Sequence, residues 1–178
     1  MRRGHLAAMV IAALVFGCGQ KPTGTNVSQD PFVSAPSQMA TNIVVTFSDS
    51  TIVKARLYAS VGRVFEQEAK TTMSGPVIVD FFDRDNQRPV ARLTSDSCVV
   101  DDRTKNMTAI GNVRVVSLRR DVTLSSSELS WIQSTQRIRT ERAVRIETPQ
   151  ERINGVGFES NQDLSSYRLW RVSGVQRK

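Results

Sequence analysis

The chain has 178 residues, a formal net charge of +7, 39% hydrophobic and 6% aromatic residues, two cysteines and a single histidine, His5. That length suits one domain with its own core rather than two. The basic charge is thinly spread, with Arg119-Arg120 and the terminal Gln-Arg-Lys as its longest runs, which argues against nucleic acid, and the position of His5 in a leader-like segment leaves the rest without the commonest general base.

The first segment has the form of a secretory signal. Arg2 and Arg3 form a positive start, and the apolar run over residues 6–16 is too short to span a bilayer as a stable helix. It ends in Val15-Phe16-Gly17-Cys18, which resembles the lipobox of bacterial lipoproteins, where the cysteine is acylated and becomes the new N-terminus. This reading makes residues 1–17 a lipoprotein signal peptide and Cys18 the lipidation site. The alternatives are an ordinary signal peptide or an uncleaved anchor in which Cys18 is incidental. Acylation would contribute roughly 0.8 kcal/mol per buried methylene, so two or three chains hold firmly to a membrane. Residues 18–40, with Pro22, Pro31 and Pro36 among Gly, Ser, Thr and Asn, read as a flexible linker. With Cys18 acylated, Cys98 has no partner for an intramolecular disulfide and is expected as a small buried hydrophobe.

Residues 41–178 are expected to be the folded domain, all-β. Ile43, Val45 and Phe47 alternate with polar neighbours as a first strand, and Val53, Ala55, Leu57 and Ala59 as a second. Residues 64–72 fit either an irregular strand or one helical turn. Gly75-Pro76 then breaks the chain before Val77, Val79 and Phe81 begin another strand, and residues 82–87 form a charged hairpin turn into Ala91 and Leu93.

The next stretch is one unit written twice. Laid over itself at a shift of 31 residues, Leu93 falls on Leu124, Cys98 on Leu129, Val100 on Trp131, Met107 on Ile138, Val113 on Val144 and Val115 on Ile146. Each copy is a strand, a short polar turn and further strand, and neither buries its apolar face alone; stacked copies do. Beyond it, Gly155 and Gly157 in a strand context predict a bend, a bulge or a close backbone approach. Leu164, Leu169, Val172 and Val175 suggest a last strand pair, half of a third copy, with its outer edge bare.

Catalytic chemistry is missing. No phosphate-cradling glycine loop, metal-ligand cluster or nucleophile–base pair can be assembled, so neither an enzyme nor a cofactor is expected. Asp83, Asp85 and Asn86 resemble part of a calcium loop, but Arg88 stands where its glycine is required and Thr94 where its bidentate glutamate should be. Asp101-Asp102 reads as a solvated turn.

The ordered set SDSTIVKARLYA, FFDRDNQRPVARLTSD, AIGNVRVVS, LSSSELSWIQSTQRIRTERAVRIETP and INGVGFESNQDLSSYRL, behind an N-terminal anchor, resembles LptC, the periplasmic component of the lipopolysaccharide export ABC transporter, over residues 44–175. The chain departs from that family in carrying a lipobox where members often keep a transmembrane helix, and in Ile132 where an aspartate usually follows the LxW strand. The resemblance implies an open twisted β-jellyroll shared with LptA and OstA-type proteins. It implies a groove that takes lipopolysaccharide acyl chains from the inner-membrane ABC transporter and passes them to an LptA-like periplasmic protein by β-strand edge pairing. The inward set expected to line it is Leu57, Leu93, Val100, Met107, Val113, Val115, Leu124, Leu129, Trp131, Ile138, Val144 and Ile146. Arg114, Arg137, Arg139 or Arg145 are expected at its rim, facing lipid phosphates, and Leu169, Trp170, Arg171 and Val172 at the partner edge. The same apolar set serves equally as the packed core of a structural lipoprotein without lipid cargo. Residence is expected on the periplasmic face of a bacterial membrane, the inner one first.

Overall fold

The computed structural model describes residues 35–83, 85 and 87–177. The leader, Cys18 and most of the expected linker lie outside the described residues. The described chain forms strands β1 (Gln38–Asp49), β2 (Ile52–Phe65), β3 (Lys70–Phe82), β4 (Pro89–Asp101), β5 (Met107–Ser117), β6 (Thr123–Ile132), β7 (Arg137–Glu147), β8 (Glu151–Asn161) and β9 (Tyr167–Arg177). They make one antiparallel sheet in which every strand pairs with its neighbours in sequence, so β1 and β9 are its two edges. The expected all-β open roll is what the chain forms.

Strand formation follows from the alternation. In β4 the buried residues Ala91, Leu93, Ser95, Cys98 and Val100 interleave with exposed Arg92, Thr94 and Asp96, a period-two pattern that puts one face on the core and one in water. The undecided stretch 64–72 contains both expected forms: β2 ends at Phe65, a single 3-10 turn covers Glu66–Glu68, and β3 starts at Lys70. Tight reversals at this end of the sheet each use one residue in the left-handed region, Ala69, Lys105, Gln136 and Leu164. The 31-residue repeat is the hairpin β4–β5 recurring as β6–β7, and β8–β9 is its third occurrence.

Gly75-Pro76 does not end a strand. β3 runs through it, and the pairing register shifts between Ser74 and Val77, with Gly75 at φ +84°. Such a shift occurs in every ladder, including Thr94/Ser97, Ile110/Val113, Ser126/Ser130, Thr140/Ala143 and Asn154/Gly155. Bulges bend a strand and increase its twist, so a line of them across the sheet curls it into a roll. At Gly155 a Cβ would stand 2.6 Å from the Arg171 carbonyl oxygen, which is the close backbone approach expected there.

An outer-face ladder fixes the register from the solvent side. Arg56 pairs with Asp80 and Asp80 with Arg92 across β2–β3–β4. Arg92 donates to both Asp80 carboxylate oxygens, at 2.7 and 3.0 Å. Arg56 also lies 5.5 Å from the centre of the Phe82 ring.

Candidate functional site: an apolar lane and two bare edges

Cross-strand pairing lines the inward residues into rows. One row runs Val45, Leu57, Val79, Leu93, Val115, Leu124, Ile146, Ile153 and Val175, one residue from each strand. Its middle members, Leu57 to Ile146, are buried; Val45 and Ile153 are half-buried, and Val175 is exposed. A second row, on the other side of the bulge line, runs Val100, Met107, Trp131, Ile138 and Ser160. Leu129 faces Ala109 on β5, which faces Cys98 on β4. Val113 and Val144 are both opposite Ser126, which lies between them on β6.

All of the expected inward residues face the interior. Leu57, Leu93, Val100, Met107, Val113, Val115, Leu124, Leu129, Trp131, Ile138, Val144 and Ile146 are between 0 and 4% exposed. The two halves of the curled sheet meet through them: the Trp131 ring packs edge-on against Phe47 of β1 and tilted against Phe81 of β3. The roll is therefore packed, its apolar lane covered by its own opposite wall.

Phe47, Phe81 and Phe158, each buried, belong to this interior but stood outside the expected set. Their place in the strand alternation marks them as inward, but all of the expected set except Leu57 came from the repeat overlay, which spans only β4 to β7. Leu164 sits in the turn after β8 rather than in a strand, and is buried there.

Cys98 is buried on the inner face, and burial pushes its thiol up to about 12. It is a hydrophobe, not a nucleophile.

The arginines expected at a rim lie on the outer face. Arg114, Arg139 and Arg145 flank inward residues on their strands and so project from the outer face, exposed, away from the lane. Arg137, next to inward Ile138, obeys the same alternation; it is half-buried at the start of β7, where its guanidinium pairs with Glu159 at 2.7 Å, and it borders a cleft with Phe82 and Gln162. Period-two alternation decides this: an arginine one position from a buried valine faces the opposite side of the sheet.

At the β9 edge, Leu169 packs partly against the core through its contact with β8, while Trp170, Arg171 and Val172 are exposed. Trp170 at 54%, Val172 at 57% and Val175 at 55% give this edge strand an apolar surface unusual for an unpaired strand. The β1 edge shows Met39 and Val44 in the same way, which the sequence reading did not single out. Among the described residues there is no group of His, Cys, Asp and Glu arranged to hold a metal, and no helix long and apolar enough to cross a membrane.

The family model for lipopolysaccharide assembly, LptC-related, matches residues 6–175. Among solved structures, the chain is similar to LptH from Pseudomonas aeruginosa, described as the LptA-homologous periplasmic component of the conserved lipopolysaccharide transport device. The TM-score is 0.52 at 10% identity, covering 70% of this chain and 93% of LptH, a likeness of fold. No curated protein matches this chain in sequence.

Proposed function

The chain belongs to the LptC-related lipopolysaccharide-assembly family, and from that premise we propose that it is a conduit segment of lipopolysaccharide export. Its inner lane receives acyl chains from the inner-membrane ABC transporter and hands them to an LptA-like periplasmic protein docked on a bare edge. The observation that carries this reading is the apolar row from Val45 to Val175, which crosses every strand and comes out at the unpaired β9 edge. A strand added beside β9 would extend both the hydrogen-bond ladder and the lane in one step.

Entry of a guest needs the two walls to part. β1 and β9 do not pair with each other. Opening between them breaks side-chain contacts such as Phe47–Trp131 while leaving every strand ladder intact. Aliphatic walls then hold chains without directionality, at about 25 cal/mol per Å² of apolar surface buried. Acylation of Cys18 would hold the domain at the periplasmic face of the inner membrane through the residues that precede β1, which takes the last three of the expected linker, Gln38 to Ala40.

A second reading, a structural bridge without lipid cargo, is favoured by the packing itself, since the inward residues are almost completely covered. Photocrosslinking in cells from a probe at Ile138, Trp131 or Met107 separates the two. Crosslinks to lipopolysaccharide that depend on the transporter's ATPase are expected for a conduit. Their absence at all three positions, with the protein folded and anchored, would leave only the structural bridge.

A further inference from the structure

Several arginines of the domain are each held by a carboxylate: Arg92 by Asp80, Arg119 by Asp83, Arg137 by Glu159, Arg142 by Glu128 and Arg152 by Glu147. Arg114 and Arg145 are not. Among the described residues their side chains reach only neutral oxygens, Arg114 the Thr123 hydroxyl and Arg145 the Asn154 amide oxygen, both at 3.4 Å. The ladders nevertheless place the two in one row of the outer face. Arg114 faces Ser125 on β6, and Ser125 faces Arg145 on β7. Their strands are two inter-strand spacings apart, about 10 Å. Like charges so placed repel, and the residue between them is an uncharged serine. The stability of the sheet does not account for this row.

Both arginines line one cleft of about 490 Å³. It crosses β5 to β9 along the bulge line, with Ser125, Asn154 and Ser173 as neutral polar lining and Ala143 and Val156 as an apolar side. No carboxylate lines it. Four other clefts among the described residues each include at least one, such as Asp83, Glu66, Asp121 or Asp102. At one end of the cationic cleft Asn112 donates to Asp96 at 2.8 Å, which occupies that acid from outside the lining.

Two guanidinium forks with hydroxyl and amide groups beside them suit an anion that offers several oxygens at once, and phosphate is the common one. The cleft lies on the outer face, so the sheet itself separates it from the lane and from any guest there. Its surroundings are those of a lipid interface. Trp170, 54% exposed, lies over Gly157, the residue after Val156, and a Cβ there would meet its ring at 3.4 Å. An exposed indole beside arginines sits well among headgroups, with the ring at the acyl boundary and the cations on phosphate.

We propose that the cleft between Arg114 and Arg145 binds the phosphate of an anionic phospholipid headgroup, so that the outer face of β5 to β9 rests against a membrane surface. Contact through a face leaves the backbone ladder of the β9 edge free for a partner strand. The site needs neither the lane nor its cargo, and it holds for the conduit and for the structural bridge alike.

The test is a titration of the full ¹⁵N-labelled chain, in a nonionic detergent, with short-chain phosphatidylglycerol and separately with inorganic phosphate. The side-chain N–H signals of Arg114 and Arg145 are expected to shift with phosphatidylglycerol, while those of Arg92 and Arg152, held by Asp80 and Glu147, stay in place. Arg114→Gln and Arg145→Gln change exposed positions and are each expected to weaken binding about tenfold with the thermal midpoint unchanged. Equal shifts at every exposed arginine would show diffuse attraction and overturn the site, as would no shift at Arg114 and Arg145. Inorganic phosphate binding as tightly as phosphatidylglycerol would overturn the lipid headgroup as the ligand. None of these outcomes bears on the conduit reading, which the crosslinks at Ile138, Trp131 and Met107 decide.

Discussion

Phe47 and Trp131 meet with ring centroids 5.4 Å apart and planes at 73°, although one lies on the first strand of the sheet and the other on the sixth. No ladder links them directly. Their contact is where the curled sheet closes on itself, and it reports whether the roll is shut. Phe47→Ala is expected to cost about 3 kcal/mol, the lower end for removing a buried phenyl ring. In a Trp170→Phe background, Trp131 emission should move to the red as its ring loses that cover. Chemical denaturation followed by fluorescence gives both; an unchanged spectrum would mean that β1 does not close the roll in solution.

Gly155 has no room for a side chain, because a Cβ would meet the Arg171 carbonyl oxygen at 2.6 Å and Leu169 at 2.7 Å. Gly155→Ala should push β9 away from β8 and destabilise by roughly 1–3 kcal/mol. Amide hydrogen exchange would show the loss concentrated in residues of β9, with β4 to β6 unaffected. A uniform loss across all strands would contradict a local clash.

The β9 edge can be tested without disturbing the core. Val172 is 57% exposed, so Val172→Lys should change stability by no more than about 0.5 kcal/mol. A charge on an edge strand opposes the addition of another strand. Capture of an LptA-like protein should therefore fall several-fold while the thermal midpoint stays within a degree or two of wild type. Undiminished capture would move the docking site to β1, where Met39 and Val44 are bare.

Cys98 should be inert until the domain unfolds. With its thiol pushed up to about 12 by burial, almost no thiolate exists at pH 8. Labelling by iodoacetamide is expected to proceed at the rate of opening, and to accelerate steeply across the denaturation midpoint. Fast labelling of the native protein would show that the β4–β5 wall opens on its own.

The turn between β4 and β5 carries a pH signature. Asp101 accepts hydrogen bonds from the Thr104 backbone at 2.7 Å, from the Thr104 hydroxyl at 3.0 Å and from the Arg103 backbone, which hold its carboxyl below the usual aspartate range. A lowered folded pKa stabilises above the unfolded value of about 3.9, and that contribution is lost as pH falls through the folded value. The difference in thermal midpoint between wild type and Asp101→Asn should therefore be constant near neutrality and shrink below about pH 4. A difference independent of pH would assign the turn's stability to geometry alone.

What the sequence determined by itself is the facing of side chains. Alternation is a property of two consecutive residues, so the inward positions of β1 to β7, the duplicated hairpin and the burial of Cys98 were all legible from residues such as Leu93, Cys98 and Val100 and their counterparts one repeat later. Sheet curvature is not local. It accumulates from strand twist and from a bulge in each of the ladders, and one of these, at Gly75-Pro76, reads in sequence as a chain break. Only the tertiary structure decided that Phe47 reaches Trp131 and that the lane is covered by its opposite wall. It likewise decided that Arg137 comes beside Glu159 and borders the cleft that holds Phe82 and Gln162. It alone shows Arg114 and Arg145 lining one cleft without a carboxylate, because which charges meet across strands depends on ladder register and not on spacing in the sequence.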